Sequence, residues 1–253
     1  MIAKRIALIT GATSGIGEAT ARLFAENNFK LILCGRRKDR LDKIALELSA
    51  KTEVTILCFD VSSQEQTSHS IGTLPVEWKR IDVLVNNAGN AHGLSSVQSG
   101  SIVDWDAMID INVKGLLYVS KEIMNGMIER NTGHIINIGS IAGKEAYPNG
   151  NVYCASKFAV DALTKGMRMD LNPYGIKVTG IHPGMVDTEF SLVRFKGDTE
   201  RAEKVYQGLT PLYAKDIAEV ILFAVTRPPH VVMADVVVLP TAQASATVMK
   251  RES

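Results

Sequence analysis

The chain has 253 residues, 46% of them hydrophobic, and 28 Lys and Arg against 27 Asp and Glu leave a formal net charge of +1 at pH 7. That length suffices for one large core, and no Pro/Ser-rich linker or break in composition divides it, so one domain over 1–253 is expected. Mixed charge without a basic block argues against a nucleic-acid face, and no apolar run reaches membrane-spanning length, which leaves small molecules as the expected partners, with no nucleic acid and no membrane. Cys34, Cys58 and Cys154 fall singly in or beside apolar runs, without zinc or disulfide spacing, and so predict buried thiols in a reducing cytoplasm and no metal site. The start, MIAKRIALIT, passes into a glycine turn without a secretory pattern, so a soluble cytoplasmic protein is the expectation.

Apolar runs rich in β-branched residues recur at 6–10 (IALIT), 31–34 (LILC), 54–59 (VTILCF), 83–85 (VLV), 134–139 (HIINIG), 176–181 (IKVTGI) and 236–239 (VVVL). Between them lie stretches of helical spacing, such as EATARLFAEN at 18–27, DRLDKIALELSA at 39–50 and KGLLYVSKEIMNGMIER at 114–130. Strand alternating with helix predicts a parallel sheet, and continuously apolar strands predict burial on both faces. The fold class is therefore α/β: a doubly wound, Rossmann-type parallel sheet of about seven strands with helices on both faces. In such sheets the ligand crevice lies beyond the carboxyl ends of the strands, so the residues just after each run carry the information.

After the first run comes TGATSGIG, residues 10–17. Gly11 permits a tight turn, Gly15 lets backbone approach a pyrophosphate, and Gly17 permits close packing of helix on strand, with the helix N-terminus facing the anion. Thr13, Ser14 and Ile16 belong to the same candidate cofactor turn. The second run is followed by GRRKDR. Where an NAD site usually carries an acid for the ribose 2′-hydroxyl, this chain has Gly35, Arg36 and Arg37, and two guanidiniums suit the 2′-phosphate of NADP(H). Incidental solvated charge is the plainer alternative, but cations at a helix start oppose its dipole and call for an anion. Asp60 and Val61 occupy the turn after the third run. After the fourth comes NNAG, in which Asn86 suits either a tie between strand ends or a cofactor contact, while Asn87, Ala88 and Gly89 form a narrow shelf.

Ser140 ends the fifth run, placed either to cap the following turn or to bond a substrate oxygen. In NVYCASKFAV, Tyr153 and Lys157 stand four residues apart, which on a helix sets an ammonium beside a phenol. Bringing a free tyrosine from pKa about 10 to near 7 takes roughly 4 kcal/mol of preference for phenolate. Asn112, within MIDINVKGLL, is unfavourable inside an apolar helix and is either exposed or has a task.

Together TGxxxGIG, NNAG, the Asn of IDINVKG, and Ser140 with YxxxK resemble the short-chain dehydrogenase/reductases, over nearly the whole chain from Gly11 through PGMVDTEF at 183–190. The resemblance implies that Tyr153 is the general acid/base, that Ser140 positions the reacting oxygen, that Lys157 lowers the tyrosine pKa and holds the nicotinamide ribose, and that Asn112 supports a water relay to Lys157. It adds Pro183, Gly184, Val186 and Thr188 as cofactor contacts. It also implies a homotetramer built on the helices at 114–130 and 153–171 and on the tail after VVVLP, where Val248 and Met249 fit subunit contact.

The blocks DWDAMIDINVKGL, GHIINIGS and TEFSLVRFKGDTERAEKVYQ (188–207) are similar to the NADP-dependent 3-hydroxy acid dehydrogenases, a subgroup that includes serine and allo-threonine dehydrogenases. This implies hydride exchange at the 3-hydroxyl of serine, allo-threonine or 3-hydroxypropionate, or reduction of a malonic semialdehyde type of substrate. Arg194 and Lys196 lie on a segment around 186–210 that should cover the substrate, and Arg194 is the first candidate to hold its carboxylate; both also fit a solvated loop. A reductase of other carbonyl compounds and a non-catalytic dinucleotide-binding protein are the alternatives, and the presence of Tyr153 and Lys157 speaks against the second.

Overall fold

The computed structural model describes residues 4–252. Its elements in chain order are β1 (Arg5–Thr10), α1 (Gly15–Glu26), β2 (Phe29–Gly35), α2 (Lys38–Leu48), β3 (Val54–Cys58), α3 (Gln64–Gly72), β4 (Ile81–Asn86), α4 (Ile102–Ile109), α5 (Leu116–Glu129), β5 (His134–Ile138), α6 (Asn151–Leu171), β6 (Lys177–Pro183), β7 (Val186–Asp187), α7 (Phe190–Arg194), α8 (Thr199–Lys204), β8 (Leu212–Tyr213), α9 (Ala214–Val225) and β9 (Asp235–Val238). Each of the seven apolar runs became a strand of one parallel sheet, in the order β3-β2-β1-β4-β5-β6-β9. The order reverses between β1 and β4, and the crevice opens at that reversal.

Alternate strand residues feed two cores. Ile9, Leu31, Leu33, Val83 and Val85 pack with Phe24 of α1, Leu41 of α2 and Ile217 of α9, while Leu8, Ile32, Leu84 and Ile135 pack with Val119 of α5 and Val160 of α6. Burial on both faces explains the continuous apolar runs. The short pair β7 and β8 stands apart from the main sheet and frames the segment that covers the crevice. Among the described residues no helix is long and apolar enough to cross a membrane.

Two local expectations need correction. Cys34 and Cys154 are buried, but Cys58 is exposed, because it ends the edge strand β3, which has a neighbour on one side alone. The helix expected over 114–130 begins at Leu116 and is preceded by a wide π-helical turn, Asp110–Gly115. That turn is the consequence of burying Asn112, whose amide bonds to groups outside the helix.

His134 of β5 is 1% exposed, its Nε2 is 2.8 Å from Thr179 Oγ1, and burial pushes its imidazole from 6.5 down to about 3. Between those values the unfolded chain binds a proton that the native chain refuses, so stability falls as pH falls, by up to ~1.4 kcal/mol per pH unit for this one group. Urea unfolding followed across that range should show a shallower loss of stability with acid in His134→Gln than in the parent. Identical slopes in the two proteins would remove His134 as an acid trigger.

Candidate active site

The cofactor end is built on the turn between β1 and α1. Gly11 has φ +65°, the left-handed region that glycine enters freely. A Cβ at Gly17 would stand 2.3 Å from the Gly11 carbonyl oxygen and 2.5 Å from Asn87 Nδ2, so α1 starts this close to the strand because residue 17 has no side chain. Ser14 is the N-cap of α1 and makes no capping bond; its Oγ accepts instead from Arg37 Nη2 at 2.8 Å. The first amides of α1 are therefore left open at the crevice.

Arg37 also donates from Nε and Nη2 to Thr13 Oγ1, at 3.1 and 2.8 Å. Arg36 pairs with Asp60 at 3.2 Å. The anion that four cations at the start of α2 call for comes partly from a residue the sequence did not point to: Glu189, paired with Arg37 at 2.9 Å and with Arg40 at 2.7 Å. Burial works against the charge of Glu189, but the two guanidiniums prevail and hold its carboxyl below the usual range.

The shelf after β4 is tied to this turn. Asn87 Nδ2 donates to the carbonyls of Thr10 and Gly11, at 2.9 and 3.2 Å, and Thr10 Oγ1 accepts from the amides of Asn87 and Ala88. Asn86 is buried, with Nδ2 on Ser120 Oγ and Asn137 Oδ1 at 2.8 and 2.9 Å; of its two roles, the strand tie is the one observed.

The reaction end hangs on α6. Tyr153 and Lys157 are both buried on its inward face. Lys157 Nζ donates to the Ile138 carbonyl at 3.0 Å, and burial lowers its pKa to about 8. Burial raises the Tyr153 phenol, while the Ser140 hydroxyl and the Arg194 guanidinium pull it down. The expectation that Lys157 lowers the tyrosine is thus not met in this chain by itself: its ammonium sits on a carbonyl, and desolvation of the phenolate outweighs the neighbours.

Of the two roles weighed for Ser140, the cap is the one observed. Its Oγ accepts from the Ala142 amide at 3.1 Å, capping the turn Ile141–Gly143, which leaves its hydroxyl hydrogen for the phenol or a ligand. Asn112 is 2% exposed, against the alternative of a surface residue. Its Oδ1 accepts from the Asn90 amide at 2.8 Å, and its Nδ2 donates to the Asn90 carbonyl and to Ser156 Oγ, at 2.9 and 3.0 Å. The side chain thereby joins the loop after β4 to α6. Between Asn112 and Lys157 stands Gly89, where a Cβ would lie 3.1 Å from Asn112 Oδ1 and 3.5 Å from Lys157 Nζ.

The cover folds over both ends. Thr188 rests on Gly15, and Phe190 packs against the Tyr153 ring at 5.6 Å between centroids. Arg194 clamps the cover to Gly93: its Nε donates to the Gly93 carbonyl at 3.1 Å and its carbonyl accepts from the Gly93 amide at 2.9 Å. Its guanidinium stands 5.5 Å from the ring centre of Tyr153 and 5.7 Å from that of Tyr147, and its Nη2 is buried with no partner. Lys196 pairs with Asp104 at 3.0 Å, outside the cavity that Arg194 lines.

That cavity encloses about 640 Å³. Of the residues expected at the site, Gly17, Asn112 and the alternative candidates Asn86 and Lys196 are not part of its lining, and the others are. Among the lining residues that sequence reasoning missed are Glu189, Tyr147 and the tail residues Gln243, Met249 and Arg251. Tyr147 was visible as an aromatic between Ser140 and Tyr153; nothing local linked Glu189 to Arg37. Behind the site, Asp161, His182 and Asp235 bring ligand-type atoms within 4.8 Å of one another, and Lys144 bridges the two carboxylates at 2.8 and 2.6 Å.

The family model described as short chain dehydrogenase matches residues 5–198. The NADP-dependent 3-hydroxy acid dehydrogenase YdfG of Salmonella typhi is 46% identical over 242 residues, which span 95% of this chain and 97% of that protein. Sulfoacetaldehyde reductase 2 of Chromohalobacter salexigens is 44% identical over 240 residues, 94% and 95% of the two chains. Among solved structures, the closed form of serine dehydrogenase complexed with NADP+ superposes with a TM-score of 0.92 at 42% identity, over 98% of this chain and 100% of that one. Likeness that runs through the sheet, the glycine turn and the cover alike is a likeness of whole proteins, and the chain belongs to the short chain dehydrogenase family of oxidoreductases.

Proposed function

We propose that the protein transfers a hydride between NADP(H) and the 3-hydroxyl or 3-carbonyl of a small 3-hydroxy acid, of the serine, allo-threonine, 3-hydroxypropionate or malonic semialdehyde type. The observation that carries the substrate half is the partnerless, buried Nη2 of Arg194 beside the ring of Tyr153. A buried guanidinium N–H without an acceptor costs free energy until an anion supplies one, and a carboxylate on a short carbon chain reaches it while its hydroxyl stays at Tyr153.

The residues present fit a dinucleotide: a turn in which Gly17 leaves no room for a Cβ, an uncapped helix start, and Thr13, Ser14, Arg36 and Arg37 gathered for a 2′-phosphate. Bound there, NADP+ supplies the nicotinamide that accepts the hydride, and NADPH returns it. In oxidation Tyr153 would take the proton from the substrate oxygen while the hydride leaves the carbon that bears that oxygen, and in reduction it would give the proton back to the oxygen. Ser140 holds the reacting oxygen with its remaining O–H. Lys157 would take the ribose hydroxyls, the positive charge of the oxidised nicotinamide would favour the phenolate, and Asn112 would keep the loop after β4 in place and support the water relay to Lys157.

Reduction of another small anionic carbonyl compound is the second reading. The same guanidinium accepts a sulfonate as readily as a carboxylate, and the relative named sulfoacetaldehyde reductase 2 favours it. The proposal takes 1–253 as one catalytic domain, cytoplasmic, acting on small molecules and not on nucleic acid or membrane, and assembled as a homotetramer. Apolar Leu117 on α5 and Phe158 and Met169 on α6 are exposed and support pairing of those helices.

Three outcomes follow for kinetics. NADP(H) should outperform NAD(H), since charge-assisted bonds to a phosphate contribute about 1.5 to 3 kcal/mol each before desolvation; equal kcat/KM with both cofactors would refute the assignment of Arg36 and Arg37. Tyr153→Phe should lose roughly 10²- to 10⁴-fold in turnover and keep NADPH binding, whereas retention of more than about a tenth of turnover would show that another group moves the proton. Arg194→Ala should lower kcat/KM on 3-hydroxypropionate by about 2 to 5 kcal/mol and much less on its amide. An equal loss on acid and amide would mean that Arg194 shapes the cover and does not read the charge.

A further inference from the structure

At the start of α2 the chain gathers Arg36, Arg37, Lys38 and Arg40, on a helix end that is itself positive. Arg36 and Lys38 have counter-charges close to their own strand and helix, in Asp60 at 3.2 Å and Asp42 at 2.8 Å. Among the described residues Arg37 and Arg40 make no ion pair there, and both turn to Glu189, at 2.9 and 2.7 Å. Glu189 follows Thr188 in the cover and stands five residues before Arg194, whose guanidinium lies over Tyr153. One carboxylate of the cover is thus held by the end of the crevice farthest from the chemistry.

The donors of Arg37 are divided in a way that bears on the cofactor. Nε and one Nη2 hydrogen serve Thr13, the other serves Ser14, and Nη1 serves Glu189. A 2′-phosphate arriving among Thr13, Ser14 and Arg37 therefore meets a guanidinium already bound to an anion. Arg37, Arg40 and Glu189 sum to one positive charge, and a phosphate monoester brings about −1.5 to −2 at neutral pH, so the two anions together overfill the pair of arginines. NAD(H) brings no charge to that place and leaves the Glu189 contact alone.

We propose that Glu189 is a specificity-determining residue for the cofactor: a stand-in anion on Arg37 that the 2′-phosphate of NADP(H) displaces. The inference rests on the NADP(H) reading above. Its consequence is that the phosphate loosens the cover from the adenosine end as it binds, so the cover is free to settle on the substrate in the NADP(H) complex and stays tethered with NAD(H).

Fluorescence titration of NADPH and NADH against the parent and Glu189→Gln tests this without turnover. The substitution keeps shape and removes charge at a half-exposed site, and NADH binding serves as the control for folding. Glu189→Gln should bind NADPH about 3- to 10-fold more tightly, bind NADH as the parent does, and lose the difference as salt is raised. NADPH bound no more tightly than by a parent that does prefer it would overturn the stand-in role and leave the NADP(H) reading intact. Equal tightening of both cofactors would overturn it too, by showing that the cover had simply been loosened. A parent that binds NADH as well as NADPH would bring down the reading and the inference together.

Discussion

The Gly11 carbonyl oxygen stands 2.3 Å from where a Cβ on residue 17 would be, and this close approach sets the rest of the crevice. It lets α1 begin directly against β1, which leaves the helix amides facing outward and brings Ser14 within reach of Arg37 from the turn between β2 and α2. The same contact leaves room for Asn87, whose amide bonds the carbonyls of Thr10 and Gly11 and so carries β4 and its shelf into register with the turn. A side chain at position 17 would have to push one of these partners away, and each of them lines or supports the cavity.

A second constraint is the satisfaction of polar groups that the fold buries. Asn112 meets the amide and carbonyl of Asn90 with its own amide, as a peptide unit in a sheet would, and adds a bond to Ser156 on α6. This ties α6, which carries Tyr153 and Lys157, to the loop after β4. The cost appears in the helix itself, which opens into the π-turn Asp110–Gly115 before α5 can begin. Arg194 Nη2 is buried without a protein partner among the described residues.

Charge is distributed with the same economy. The cover carries Glu189 toward the arginines of α2 and Arg194 toward the tyrosines of α6 and the loop before it, so opposite charges on one short segment meet opposite ends of the crevice. Lys196 between Asp104 and solvent, and Asp60 between Arg36 and Ser62, hold the flanks. Burial raises the Tyr153 phenol and depresses Lys157, so the protein's own groups do not by themselves favour the phenolate.

Sequence alone determined what is local in the chain. Seven apolar runs became seven strands because burial on both faces leaves an uninterrupted apolar stretch; the glycines at 11, 15 and 17 marked a turn because backbone geometry permits little else there; and Tyr153 and Lys157 shared a face because a helix repeats every 3.6 residues. Tertiary structure decided what depends on where distant segments dock. It exposed Cys58 at the sheet edge, buried Asn112 against the loop after β4, and turned Arg194 inward while Lys196 went to Asp104. It also joined Arg37 to Glu189, 152 residues apart. No periodicity encodes such pairings, because charges attract across whatever gap the fold closes, and that gap exists only after the cover has been laid over the sheet.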